Sequence, residues 1–545
     1  MSALDSIRSG RTTLGIELGS TRIKVCLVDA DDPQTVLAVG GHAWENSYAD
    51  GLWTYALDDV WSGLQAAYAD LVADAKRRHG VSPETYAAIG ISAMMHGYLA
   101  FDDAGELLVP FRTWRNTNTT AAAAELSALF GVNIPLRWSV AHYRQALLDA
   151  EPHVDRVASI TTLAGYVHER LTGRRVLGVG DASGMFPIDP ATRDYDRELL
   201  DRFDGLPSQD PRAPRDLQVR DGRDETHTPR PSLRALLPEV LVAGQDAGTL
   251  TADGAALVDP TGALRPGIPF CPPEGDAGTG MVATNAVAPR TGNVSAGTSI
   301  FAMVVLDRAL TQQHHELDLV TTPAGDPVAM VHCNNGASEL GEWAGLFGRF
   351  AEAAGIPLDR DRVFDVLLRE ALTGAADAGG LLAYNHLAGE PIAGLTDGRP
   401  LFVRTPDSTL SLANVMRAQV YAVFGTLALG MRVLDAEGVQ LDRMFAHGGL
   451  FRTAGVAQRF LAGALNTPVA VGETAAEGGA WGIAVLAAHL AHADRSLAAY
   501  LDDVVFADAA LTVAAPDPAD VAGFAAYLDR YRAGLAVEAA AVEHL

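Results

Sequence analysis

Residues 272–281 read PPEGDAGTGM, and Asp276 stands there among glycines and small side chains, just after an apolar segment and two prolines. Two chemistries fit such a placement. Aspartate caps helices and shapes turns, with glycine supplying backbone freedom. A carboxylate with no bulky neighbours also suits a general base that a substrate must approach closely. The local sequence does not choose between them. Two other stretches suggest phosphate chemistry: the Gly19-Ser20-Thr21 turn, and the small-residue turn from Ser295 to Ser299. Such turns aim backbone N–H groups and hydroxyls at an anion, although ordinary hairpin turns use the same residues.

The elements around these residues alternate between strand and helix. TTLGIELGSTRIKVCLVDA offers an apolar run Leu14–Leu18, the 19–21 turn, and then alternating Ile23, Val25 and Leu27, which predicts two strands. Residues 58–80 carry Val60, Leu64, Ala67 and Leu71 at helical spacing, with a basic last turn and a closing glycine. AAIGISAM (87–94) reads as a buried strand, so strand, helix and strand follow one another as in an α/β architecture. Residues 291–306 repeat the opening strand–turn–strand grammar, and 444–469 read as strand, glycine turn and helix. The stretch 473–491 reads as a glycine turn leading into a small-residue helix. The charged, proline-dotted stretch 200–235 reads as an exposed excursion.

At 545 residues the chain is long for one core and predicts two to four domains. Its formal net charge of −26, from 67 acids against 41 bases, opposes nucleic acid and anionic membrane as partners. The same field repels nucleotides, so any phosphate site must be built locally from backbone amides and a metal. Three widely spaced cysteines give neither a disulfide framework nor a CxxC metal pair, which suits a reducing cytoplasm. The N-terminus has no apolar signal core, and no apolar run approaches the ~20 residues that span a bilayer. A Walker-type loop, a G-x-G-x-x-G fingerprint, a G-x-S-x-G elbow and the protein-kinase signatures are all absent. His314–His315 lacks an H-E-x-x-H context and reads as a surface pair.

Taken in order, these segments resemble the FGGY family of carbohydrate kinases, within the actin/hexokinase-like ATPases. GIELGSTRIKVCLVD (15–29) is similar to the first phosphate motif, and GISAMMHGYLAFD (90–102) to the sugar segment of xylulose-specific members, where Met-His-Gly lies beside the ketose. EGDAGTGM (274–281) resembles the segment of the catalytic aspartate, and GNVSAGTSIF (292–301) the second phosphate motif. AHGGLFRTAGVAQRFLAGALNTPV (446–469) resembles the adenosine segment, with EGGAWGIAVLAA (477–488) as the helix after it.

The resemblance implies an α/β protein of two ribonuclease-H-like domains with an interdomain cleft. A sugar-binding domain would cover 12–287 and an ATP-binding domain 288–545. It implies Asp276 as general base, and Met95, His96, Gly97, Trp114, Arg115 and Asn116 as sugar contacts. It implies Gly19, Ser20, Thr21, Lys24, Gly297, Thr298, Gly448 and Gly449 as nucleotide contacts, and Glu17 on the side of Mg²⁺. The family usually places aspartate at position 17, and TWRNTNT (113–119) lacks an acid that many members carry there. Gln458 and Asn466 stand equally for the adenine rim or the helix surface. The expected reaction is ATP-dependent phosphorylation of a ketopentose at its terminal hydroxyl, with D-xylulose first and L-ribulose, or another sugar or polyol of the family, as the alternative. A sugar or nucleotide sensor and a sugar-independent ATPase on the same fold are the competing classes. The expected partners are a ketose, ATP and a second copy in a homodimer, in the cytoplasm.

Overall fold

The computed structural model describes residues 2–206, 231–472 and 478–545. Two compact units divide the chain. The first comprises Met1–Val287, Leu319–Asp326 and Ala475–Asp508, and the second Ala288–Asp318, Pro327–Thr474 and Ala509–Leu545. Residues 478–508, read from sequence as part of a second domain, thus belong to the first unit.

In the first unit a mixed sheet is built on the hairpin Thr12–Leu18 and Arg22–Asp29. Val36–Ala43 extends it antiparallel beyond the second strand. Ala88–Ala93 lies parallel to the first strand, and Glu274–Gly275 parallel to Ala88–Ala93. The middle strands are nearly all buried, which explains their continuous apolar runs. Helix Leu57–His79 turns Val60, Leu64, Ala67 and Leu71 inward and closes on Gly80 in the left-handed region. Helix Gly478–His489 is fixed to the first strand by Thr13 Oγ1, which donates to the Ala484 carbonyl at 3.0 Å.

The second unit repeats the plan. Strands Thr291–Ala296 and Ile300–Val305 form a hairpin, and Arg443–His447 lies parallel to the first of them. Pro327–Cys333 joins on one side, with Val469–Gly472 and Leu511–Ala514 on the other. Helix Leu412–Ala436 runs through its core. That helix corrects the sequence expectation on apolar runs: at 25 residues it is long and apolar enough to cross a membrane, yet 89% of its apolar window is buried inside the protein.

Two further readings change. Of 200–235, residues 207–230 lie outside the described residues. At its edges, helix Arg197–Asp204, capped by Asp196, buries Leu200 and Phe203, and Leu233–Leu236 forms a buried turn of helix. His314 is no surface residue, because its Nε2 meets Glu437 Oε1 at 2.6 Å with only a fifth of the side chain exposed. All three cysteines are buried and none forms a disulfide, in agreement with the sequence.

Candidate active site

In the first unit, three parallel strands end level with one another. Leu18 pairs with Ala93, and Ala93 with Gly275. The residues that follow these ends, Gly19–Thr21, Met95–Gly97 and Asp276, therefore gather at the carboxyl edge of the sheet, the edge where α/β sheets bind ligands. Met94 N–H donates to the Leu18 carbonyl at 2.9 Å. Met95 N–H donates to Asp276 Oδ1 at 3.1 Å, which joins the Met-His-Gly segment to the acid.

Asp276 opens helix Asp276–Ala283 behind Gly275. Burial raises its pKa above the ordinary carboxylate range, against hydrogen bonds from the Met95 and Ala277 amides that lower it. His96 is buried, adopts a left-handed φ of 71°, and places Nδ1 3.2 Å from the Gly184 carbonyl. Trp114 Nε1–H donates to Ser20 Oγ at 3.2 Å. The Arg115 guanidinium sits 3.8 Å over the Trp53 ring. Asn116 uses its amide on backbone: Nδ2 donates to the Trp53 carbonyl at 2.8 Å, and Oδ1 accepts from Trp53 N–H at 2.9 Å. It thereby holds the 113–116 turn in place.

Glu17 pairs across the hairpin with Lys24, the two charges 3.8 Å apart. It also faces the start of the Gly478–His489 helix, where a Cβ on Gly479 would fall 2.3 Å from Glu17 Oε1. Among the described residues no group of three or more His, Cys, Asp or Glu side chains is arranged to hold a metal. A lone carboxylate of this kind fits Mg²⁺, which keeps several waters and is bound through one or two carboxylates and substrate phosphates. It does not fit a metal that needs a full cage of protein ligands.

In the second unit, Gly297 and Thr298 are exposed at the tip of the hairpin. Their carbonyls accept from Ala337 N–H at 2.8 Å and Gly336 N–H at 2.7 Å. Gly448 follows strand Arg443–His447 with φ 107°, and a Cβ there would meet the Ala296 carbonyl oxygen at 2.3 Å, so only glycine fits. A Cβ on Gly449 would meet nothing within 4 Å. Gln458 is internal, its amide donating to the Val469 and Thr512 carbonyls, while Asn466 ends its helix in the left-handed region.

Two acids at this edge escaped the sequence reading. Glu274, two residues before Asp276, is 1% exposed and accepts from the amides of Gly180 (3.3 Å) and Asp181 (2.9 Å). Asp181 is also 1% exposed; its Oδ2 accepts from Thr162 Oγ1 at 2.6 Å, and its Oδ1 has no partner among the described residues. Burial, with the Asp276 charge adding to it, pushes Asp181 up to about 7. Burial, with the Asp181 charge adding, pushes Glu274 up to about 8. The signal was a second acid inside PPEGDAGTGM and an aspartate in GVGDASG (178–184), both among glycines.

Solved structures share this arrangement of two α/β units, among them a xylulose kinase from Rhodospirillum rubrum. That protein is 22% identical, with a TM-score of 0.75 over 97% of this chain and 99% of the other, so the fold is that of the sugar kinases. The N-terminal domain model of the FGGY family of carbohydrate kinases matches residues 12–212, and its C-terminal domain model matches 292–491. The chain belongs to that family. Curated relatives include a xylulose kinase from Streptomyces coelicolor, 25% identical over 274 residues, 48% of this chain and 53% of that one. A glycerol kinase from Thermococcus kodakarensis is 23% identical over 204 residues, 35% of this chain and 40% of that one. The matched stretches thus span about half or less of these curated relatives.

Proposed function

We propose that the protein transfers the γ-phosphoryl group of ATP to the terminal hydroxyl of a ketopentose, converting D-xylulose to D-xylulose 5-phosphate. One observation supports this reading above the others: the Met95 amide donates to the Asp276 carboxylate, which joins the Met-His-Gly segment to the acid. In this reading Asp276 orients the sugar hydroxyl and takes its proton, a role typically worth about 10²–10⁴-fold. Met95, His96, Gly97, Trp114 and Arg115 face the sugar, and Asn116 supports them through the 113–116 turn. Gly19, Ser20, Thr21 and Lys24 contact phosphate, and in the second unit Gly297, Thr298, Gly448 and Gly449 contact the nucleotide. Residues 12–287 then serve the sugar and 288–545 the ATP.

Glu17 is the residue that would hold Mg²⁺, through water; the metal, when bound, neutralises charge on the phosphates. A homodimer in the cytoplasm completes the reading. A second reading, L-ribulose as substrate, is favoured by the absence of an acid in TWRNTNT, where Arg115 stacks on Trp53.

A coupled ADP-release assay across ketoses, polyols and aldonates, with and without Mg²⁺, tests this. Mg²⁺-dependent turnover highest with D-xylulose is expected. ADP release that needs no sugar would favour a plain ATPase, and binding without any release would favour a sensor.

A further inference from the structure

Four hydrogen bonds from three separate stretches converge on the turn Gly19–Thr21. Trp44 Nε1–H donates to the Gly19 carbonyl at 2.7 Å, and the Tyr55 hydroxyl to the Ser20 carbonyl at 2.6 Å. Trp44 N–H donates to the Thr21 carbonyl at 3.2 Å, and Trp114 Nε1–H to Ser20 Oγ at 3.2 Å. Trp44 and Tyr55 are buried and stacked, their ring centroids 4.4 Å apart. In a planar trans peptide the N–H points opposite to the C=O. Holding the Gly19 and Ser20 carbonyls against this aromatic wall therefore turns the Ser20 and Thr21 N–H groups away from it, toward an incoming anion. Trp44 and Tyr55 pre-set the turn whether or not a sugar is present.

Trp114 differs, because it stands at the end of a hydrogen-bonded path from the Met-His-Gly segment. Tyr98 and Arg112 exchange backbone bonds at 2.8 and 3.2 Å, and Thr113 N–H donates to the Trp53 carbonyl at 3.3 Å. Asn116 fixes both polar groups of Trp53. Trp114 itself is only partly buried, and its indole N–H reaches the Ser20 hydroxyl of the turn.

We propose, building on the kinase reading above, that the Trp114–Ser20 hydrogen bond couples sugar binding to nucleotide binding. A sugar packed on the Trp114 ring holds the indole N–H on Ser20, which orders the phosphate turn; nucleotide on the turn in the same way favours the sugar. Coupling between two sites is reciprocal and usually lies between about 5- and 150-fold.

The test is calorimetric binding of a non-hydrolysable ATP analogue, with and without saturating D-xylulose, to the full chain and to Trp114→Phe, Ser20→Ala, the double variant and Tyr55→Phe. In the unmodified protein D-xylulose should tighten the analogue at least about fivefold. Trp114→Phe and Ser20→Ala should each bring that factor close to one, and the double variant should add nothing. Tyr55→Phe should weaken the analogue with and without sugar alike, leaving the factor unchanged. A factor of one in the unmodified protein that still phosphorylates the sugar overturns the coupling alone, as do single variants that keep the full factor. Failure to bind or phosphorylate any sugar overturns the kinase reading and the coupling with it.

Discussion

Replacing Asp276 by asparagine separates chemistry from architecture. The amide keeps an oxygen to accept from Met95 N–H, now at 3.1 Å, and asparagine can open the same helix, so the sheet edge should stay as it is. What disappears, in the proposed reaction, is the group that would receive the hydroxyl proton. General-base assistance of about 10²–10⁴-fold corresponds to roughly 2.7–5.4 kcal/mol of barrier at about 1.36 kcal/mol per decade. The loss should fall on kcat, with KM for sugar and ATP changed by no more than a few-fold. Because burial holds the Asp276 pKa above the usual carboxylate range, activity of the unmodified enzyme should rise with pH through that raised value, and this limb should vanish in the variant. Steady-state kinetics from pH 4.5 to 8, with sugar binding measured directly, decide the matter. Turnover within tenfold of the unmodified enzyme, or a loss confined to sugar affinity, would refute a base at this position.

Two further perturbations follow from the geometry. Gly448→Ala puts a side chain at φ 107° with its Cβ 2.3 Å from the Ala296 carbonyl oxygen, so it should cost at least about 1–3 kcal/mol of stability and raise KM for ATP; Gly449→Ala, with open space around it, is the control, and equal melting temperatures for the two would contradict the reasoning. Glu274, pushed up to about 8 in the native state, keeps its proton where the unfolded chain has released it, so its contribution to stability is full below the ordinary carboxylate pKa and is lost as pH rises toward 8. Melting temperature should therefore fall from pH 5 to 8, and Glu274→Gln should flatten that fall; parallel curves for the two proteins would remove Glu274 as a cause.

Much of this was legible in the chain because the relevant signals are local. Both strand–turn–strand hairpins stand where small-residue turns interrupt β-type runs, and helix Leu57–His79 ends on its predicted glycine. Signals that depend on tertiary context were not legible. Gln458 and Asn116 carry the same amide as any ligand contact, and only the fold reveals that backbone groups occupy them. His314 reads as solvated until Glu437, more than a hundred residues away, meets it. The 25-residue helix Leu412–Ala436 escaped because its apolar character is spread around polar residues that the core also buries. Glu274 escaped for a subtler reason: an acid among glycines looks like a turn residue, and nothing local announces that two amides from 180–181 will enclose it.

That enclosure bears on how, in the proposed reaction, a protein of net charge −26 would bring a carboxylate base to a triphosphate. Three acids lie around this sheet edge, and three negative charges there would oppose the nucleotide and one another. With burial pushing Asp181 up to about 7 and Glu274 up to about 8, Glu274 keeps most of its proton at neutral pH and Asp181 about half of its own. Asp276 differs in that burial alone raises it, against the Met95 and Ala277 amides, with no neighbouring carboxylate adding to the rise. Glu274 braces the Gly180 and Asp181 amides and Asp181 accepts from Thr162, and the protons these two enclosed acids retain lower the negative charge at this edge. In the proposed reaction, the upward shift that burial gives Asp276 makes its carboxylate a stronger proton acceptor than a free one, which suits proton transfer from a sugar hydroxyl.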